Sequence, residues 1–112
     1  MASTPGAATG ATDARLTQLR DWLGTLPAAH GLRIDTLRPA SADASFRRYF
    51  RLDGTVGGQP GTLVVMDAPP PQEDCHPFVH VAELLNDAGV HAPRVLEQDM
   101  AQGFLLLTDL GP

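Results

Sequence analysis

"TLVVMDAPPP", residues 62–71, is an apolar run that ends in Met66-Asp67 and then meets three prolines. Unbroken Leu-Val-Val suits a strand buried on both faces. Consecutive prolines keep the backbone extended, so the strand leaves its sheet through a stiff connection rather than a tight turn. Just upstream, "DGTVGGQPG" (53–61) gathers Gly54, Gly57, Gly58 and Gly61 around Pro60 and reads as a hairpin loop. Before it, "SADASFRRYFRL" (41–52) offers a small-residue turn, then Phe46, Tyr49, Phe50 and Leu52 with the aromatic enrichment of a strand. Together these stretches predict an antiparallel hairpin whose second arm is 62–67.

Towards the N-terminus, "TDARLTQLRDWLGTL" (12–26) puts Leu16, Leu19, Trp22, Leu23 and Leu26 on one helical stripe. Thr12 or Asp13 would cap its start, and Pro27 would end it. "GLRIDTLRPA" (31–40) offers a short extended segment, Leu32 to Leu37, stopped by Pro39. Beyond the prolines, "HPFVHVAELLNDAG" (76–89) predicts a second helix with Pro77 at its first position and Gly89 past its end. Val81, Leu84, Leu85 and Ala88 supply its i, i+3, i+4, i+7 stripe. "RVLEQ" (94–98) follows as a short strand, and "GFLLLTDLGP" (103–112) brings a fully apolar strand, Phe104 to Leu107. The order predicts an α+β fold: a mostly antiparallel sheet of about five strands, a helix after the third strand, and an extra N-terminal helix.

At 112 residues, 43% hydrophobic and 19% charged, the chain has the size and composition of one globular domain. Eight Lys and Arg against 13 Asp and Glu leave a net charge of −5, which argues against nucleic acid as a partner. No stretch reaches the apolar length of a membrane helix. Residues 1–11 lack the basic start and apolar core of a secretory signal and read as a disordered leader. A lone cysteine, Cys75, cannot form an internal disulfide, so the expected compartment is the cytoplasm. "DCHPFVH" (74–80) sets His76 and His80 four apart beside Asp74 and Cys75, but it lacks a full ligand pattern, and surface histidines are the simpler reading. Nothing marks a base that would activate Cys75 as a nucleophile.

Four ordered segments, "ASADASFRRYFRL", "LVVMDAPPP", "LLNDAGVHAPRVLE" and "GFLLLTDLG", resemble the N-terminal lobe of the aminoglycoside phosphotransferase family, which shares the protein-kinase-like fold. The nearest branch is the amino-sugar kinases that act on N-acetylmuramate and N-acetylglucosamine in cell-wall recycling. The resemblance covers nearly the whole chain after the leader. It implies an ATP-dependent phosphotransferase with Mg2+, whose nucleotide lies under the turn between the first two strands. Ser41, Ala44, Ser45 and Phe46 would form that turn, with short side chains where protein kinases use glycine. Thr108, Asp109 and Leu110 would be the hinge whose backbone meets the adenine edge, and Val64 with Leu107 would be apolar neighbours of the base.

One departure stands out. Related kinases carry a lysine on the third strand, paired with a glutamate from the following helix. Here Met66 and Asp67 occupy that place, and a carboxylate facing a polyphosphate would repel it unless a metal lay between. Glu83, the mid-helix carboxylate, lies about 200° round from Val81, on the polar face with His80 and Asp87. Arg47 and Arg48 are the compensating candidates, since strand alternation sends one of them to the cleft face. The plainer alternative is that both, with Arg51, solubilise a hairpin surface.

The aspartate that orients the acceptor and the magnesium ligands come, in the family, from a larger C-terminal lobe. The sequence stops at Pro112, directly after the hinge, so residues 12–112 read as a nucleotide-binding lobe that is inactive alone and prone to self-association. The acceptor, an amino sugar or aminoglycoside, would be held by the lobe that follows. A non-catalytic regulatory or interaction module is the competing reading, and an unrelated α+β binding domain a more distant one.

Overall fold

A computed structural model describes residues 10–42, 47–70 and 73–110. Helix α1 spans Gly10–Leu23, and a 3-10 turn covers Ala28–His30. The sheet consists of β1 (Arg33–Ala42), β2 (Arg48–Val56), β3 (Gln59–Asp67), β4 (Val95–Asp99) and β5 (Phe104–Thr108). Helix α2 (His76–Asp87) lies between β3 and β4. All neighbours are antiparallel, in the order β1-β2-β3-β5-β4. The predicted order of elements is the observed one.

Strand alternation gives the sheet two unlike faces. Phe50, Leu52, Leu63, Val65, Phe104 and Leu106 point to α1, where Leu19, Trp22 and Leu23 close over them. The Trp22 and Phe104 rings pack 5.6 Å apart. The expected stripe of α1 is therefore the buried one, with Leu16 and Leu26 at its margin. Met66, Leu105 and Leu107 point the other way, to Cys75 and Val79 at the α2 side.

Four details differ from the sequence reading. Helix α1 begins at Gly10, ahead of the expected caps Thr12 and Asp13. Strand β1 runs through Pro39 instead of stopping there. It can do so because β1 is an edge strand, where a missing N–H is tolerated, and the register shifts beside Pro39. The glycine-rich loop is shorter than expected: β2 and β3 pair out to Val56 and Gln59, leaving only Gly57 and Gly58 to turn. Both have positive φ (59° and 78°), the requirement of a two-residue hairpin whose twist matches its strands.

The fourth difference concerns α2. Val79 and Ala82 are its buried residues, while Val81, Leu84 and Leu85 are exposed. Two stripes compete on this helix, and the one with smaller side chains faces the sheet, where Met66 and Leu105 already fill the space. Asn86 ties that orientation down by donating to the Ala82 carbonyl (2.8 Å) and the Pro93 carbonyl (3.1 Å). At the helix start, Asp74 accepts from the His76 backbone N–H (3.0 Å) and pairs with His76 Nδ1 (2.7 Å). These bonds, the backbone one first, hold the Asp74 carboxyl below its ordinary range. No helix among the described residues is long and apolar enough to cross a membrane.

Candidate functional site

On the α2 face, beside the exit of β5, the sheet carries an open groove of about 230 Å³. Val64 and Leu107 are cross-strand partners and both line it. Tyr49, Phe78 and Pro93 wall it, and Thr108, Asp109 and Leu110 form its rim. Five residues selected from the sequence are thus brought together: Val64, Leu107, Thr108, Asp109 and Leu110. Tyr49, Arg51, Phe78 and Pro93 were not selected. Two of them were within reach, because Arg51 pairs with Val64 and Tyr49 lies two residues earlier on the same face.

Arg51 does not extend freely into the groove. Its Nε and Nη2 donate to the two carboxylate oxygens of Asp109 at 2.7 and 3.2 Å, a fork that fixes both groups. The bond to Asp109 raises the Arg51 pKa above its ordinary value. The Thr62 hydroxyl donates to the same carboxylate at 2.6 Å.

The strand ending at Met66-Asp67 divides its two residues between the faces. Met66 is fully buried in the apolar cluster with Cys75 and Val79. Asp67 faces α1, away from the groove. It is fully buried and ion-paired on both sides. Arg15 of α1 donates to Oδ1, through Nε at 3.1 Å and through Nη2. Arg48 donates to Oδ2 through Nε at 3.2 Å and Nη2 at 2.6 Å. Arg15 also sits 4.6 Å over the Phe104 ring, and Arg48 5.2 Å over Phe50. The carboxylate that looked hostile to phosphate is a packing element under the N-terminal helix.

The two arginines take opposite faces of the sheet. Arg48 belongs to the α1 face. Arg47 takes the face of Tyr49, and its Nε donates to Glu73 at 2.9 Å. Its hydrogen bond with Tyr49, and then Glu73, raise its pKa above the ordinary value. Ser41 lies in β1 opposite Tyr49, while Ala44, Ser45 and Phe46 lie outside the described residues. Glu83, His80 and Asp87 are exposed on α2.

The "DCHPFVH" cluster is pulled apart by the fold: His76 pairs with Asp74, His80 faces out, and Cys75 points into the core. Burial first, against the opposing pull of Arg47, pushes the Cys75 thiol pKa up. A raised pKa keeps the thiol protonated near neutrality. Alkylation by iodoacetamide at neutral pH should therefore be at least about tenfold slower than in the denatured chain, and should accelerate as pH rises beyond the usual thiol range. Labelling at the denatured rate would refute the packing of Cys75 against Met66 and Val79.

A five-stranded antiparallel sheet with one helix after its third strand, and a groove at the exit of its last strand, is the architecture of a kinase-like N-terminal lobe. The chain belongs to the phosphotransferase enzyme family, which matches residues 36–112. It is 55% identical to an N-acetylmuramate/N-acetylglucosamine kinase of Pseudomonas aeruginosa, over 88% of this chain and 30% of that protein. A protein of the same name from Pseudomonas putida is 46% identical over the same shares. One from Neisseria meningitidis is 39% identical over 87% of this chain and 27% of its own. The chain thus spans less than a third of the length of these relatives. No solved structure matches it significantly.

Proposed function

We propose that residues 12–112 are the nucleotide-binding lobe of an ATP-dependent phosphotransferase acting on a hydroxyl of an amino sugar or aminoglycoside. The observation that carries this reading is the groove itself: an apolar floor, Val64 and Leu107, beside the rim 108–110. A flat base stacks on such a floor while its polar edge meets backbone donors and acceptors. Arg47, four residues before Arg51, would hold phosphate oxygens with a charge that persists at any working pH. Ala44, Ser45 and Phe46, outside the described residues, would lie over the phosphates, with Ser41 beside them near the end of β1.

Magnesium, when bound, neutralises charge that develops on the transferred phosphoryl group. No three His, Cys, Asp or Glu side chains among the described residues converge to hold it. In this reading its ligands, and the aspartate that orients the acceptor, lie outside these residues, and the lobe is inactive alone. The relatives' names support an amino sugar as acceptor; a place in cell-wall recycling and in the cytoplasm belongs to the same proposal.

Titration of the chain with magnesium-ATP, followed by amide NMR, should shift the resonances of 64 and 107–110. Val64→Trp, which fills the groove, should weaken binding at least about tenfold. Arg47→Ala should weaken ATP about tenfold and leave adenosine unchanged. A folded wild type that shows no shift would overturn the reading. It would favour a non-catalytic interaction module, to which the buried Met66 in place of a phosphate-binding lysine already lends weight. Sugar phosphorylation by these 112 residues alone would refute the inactive lobe. The exposed Val81, Leu84 and Leu85 support self-association. A concentration series in sizing chromatography that shows a compact monomer throughout would exclude it.

A further inference from the structure

The residues leaving β5 are held from two sides. On one, the Thr108 N–H donates to the Arg94 carbonyl at 3.0 Å, and the Thr108 hydroxyl accepts from the Arg94 N–H at 2.9 Å. On the other, the Asp109 carboxylate, whose side chain is only 7% exposed, receives the Arg51 fork and the Thr62 hydroxyl. The anchors come from β2, from β3 and from the segment before β4, so the exit is tied to strands on both sides of β5. A plain connection would leave its carboxylate to water. Here a fork fixes both the distance and the plane of the group it holds.

Arg51 lies opposite Val64, at the base end of the groove, whereas Arg47 lies four residues earlier, just before β2, roughly 13 Å away at the rise of an extended chain. With both carboxylate oxygens of Asp109 in its fork, Arg51 is placed to fix a backbone rather than to bind phosphate. We propose that Arg51 and Thr62 are positioning residues for the nucleobase: acting through Asp109, they pre-set the 108–110 backbone that meets the base edge. This rests on the nucleotide-cleft reading above. Pre-setting matters because a backbone ordered before binding does not have to be ordered by the ligand.

The test compares adenosine, ATP and inorganic tripolyphosphate as NMR titrants of the wild-type chain, Arg51→Ala, Arg51→Lys and Thr62→Val, with thermal unfolding recorded for each. Arg51→Ala should weaken adenosine and ATP by one common factor, about tenfold, and leave tripolyphosphate unchanged. Arg51→Lys, a point charge without the fork, should recover only part of that, and Thr62→Val should lose about threefold. A merely structural role would lower the unfolding temperature and affect all three titrants together. Loss of ATP and tripolyphosphate with adenosine unchanged would make Arg51 a phosphate ligand and overturn the proposal. So would adenosine affinity that neither site alters. If Arg51→Ala does not fold, the nearly isosteric Thr62→Val decides. A wild type that binds neither adenosine nor ATP sinks the cleft reading and this proposal with it, whereas wild-type binding with unaffected variants sinks this proposal alone.

Discussion

Removing both Arg15 and Arg48 is expected to destabilise the chain by about 3–5 kcal/mol, because it leaves the fully buried Asp67 carboxylate without a cation. The single Asp67→Ala change should cost less, about 1–3 kcal/mol. Its two orphaned guanidiniums are 22% and 30% exposed and can turn towards water, which a buried carboxylate cannot do. Part of either loss is the contact of each guanidinium with its phenylalanine ring, about 0.5–1 kcal/mol apiece. Replacing all three charges together, Arg15→Met, Asp67→Leu and Arg48→Met, should recover most of the stability, since a packed apolar trio avoids the desolvation that the ions suffer. Urea unfolding of the four proteins measures the series. A double-arginine variant within about 1 kcal/mol of wild type would refute Asp67 as a buried charge held by these two arginines.

The other large effect is expected at Gly103. Its φ is +79°, and a Cβ built there would lie 1.9 Å from the Ala68 carbonyl oxygen. That carbonyl belongs to backbone at the start of the polyproline exit, and the Ala68 N–H donates to the Gly103 carbonyl at 2.8 Å. Neither strand can yield without losing the alignment of β3 with β5. Gly103→Ala should therefore cost at least about 3 kcal/mol, the left-handed backbone adding about 1 kcal/mol to the clash. Gly89 is the natural control, with φ +80° and nothing within 4 Å of its Cβ position. Gly89→Ala should cost only about 1 kcal/mol. Equal losses at the two positions would refute the close approach of Gly103 to Ala68.

Much of this fold could be read from the chain. The Leu19-Trp22-Leu23 stripe, the apolar arm 62–67 and the proline exit are local patterns, and each yields its element without help from elsewhere. Where local patterns tie, sequence has no vote. On α2 the stripes of Val81 and of Val79 are both plausible, and the choice falls to the shape of the sheet surface and the Asn86 tether. Pro39 could be accommodated only because its strand is at an edge, a property of sheet order rather than of Pro39.

The site divides in the same way. Val64, Leu107 and the exit 108–110 were named through the family resemblance, and it is the antiparallel register of β3 with β5 that gathers them in one groove. Arg51 and Tyr49 were hidden by a charge and an aromatic that could serve any hairpin surface. Arg47 and Arg48 stood level for a related reason: alternation says that they oppose each other, but not which one faces α1.

The sequence by itself determined the order and type of the elements, and the strand end that lacks a lysine, because periodicity, turn chemistry and residue identity are properties of neighbours in the chain. Only the tertiary structure decided that Met66 faces α2 and Asp67 faces α1, and that the carboxylate is matched by Arg48 on the next strand and by Arg15, 52 residues away. Register between strands and the docking of a distant helix assign each charge its face, and no local pattern carries that information.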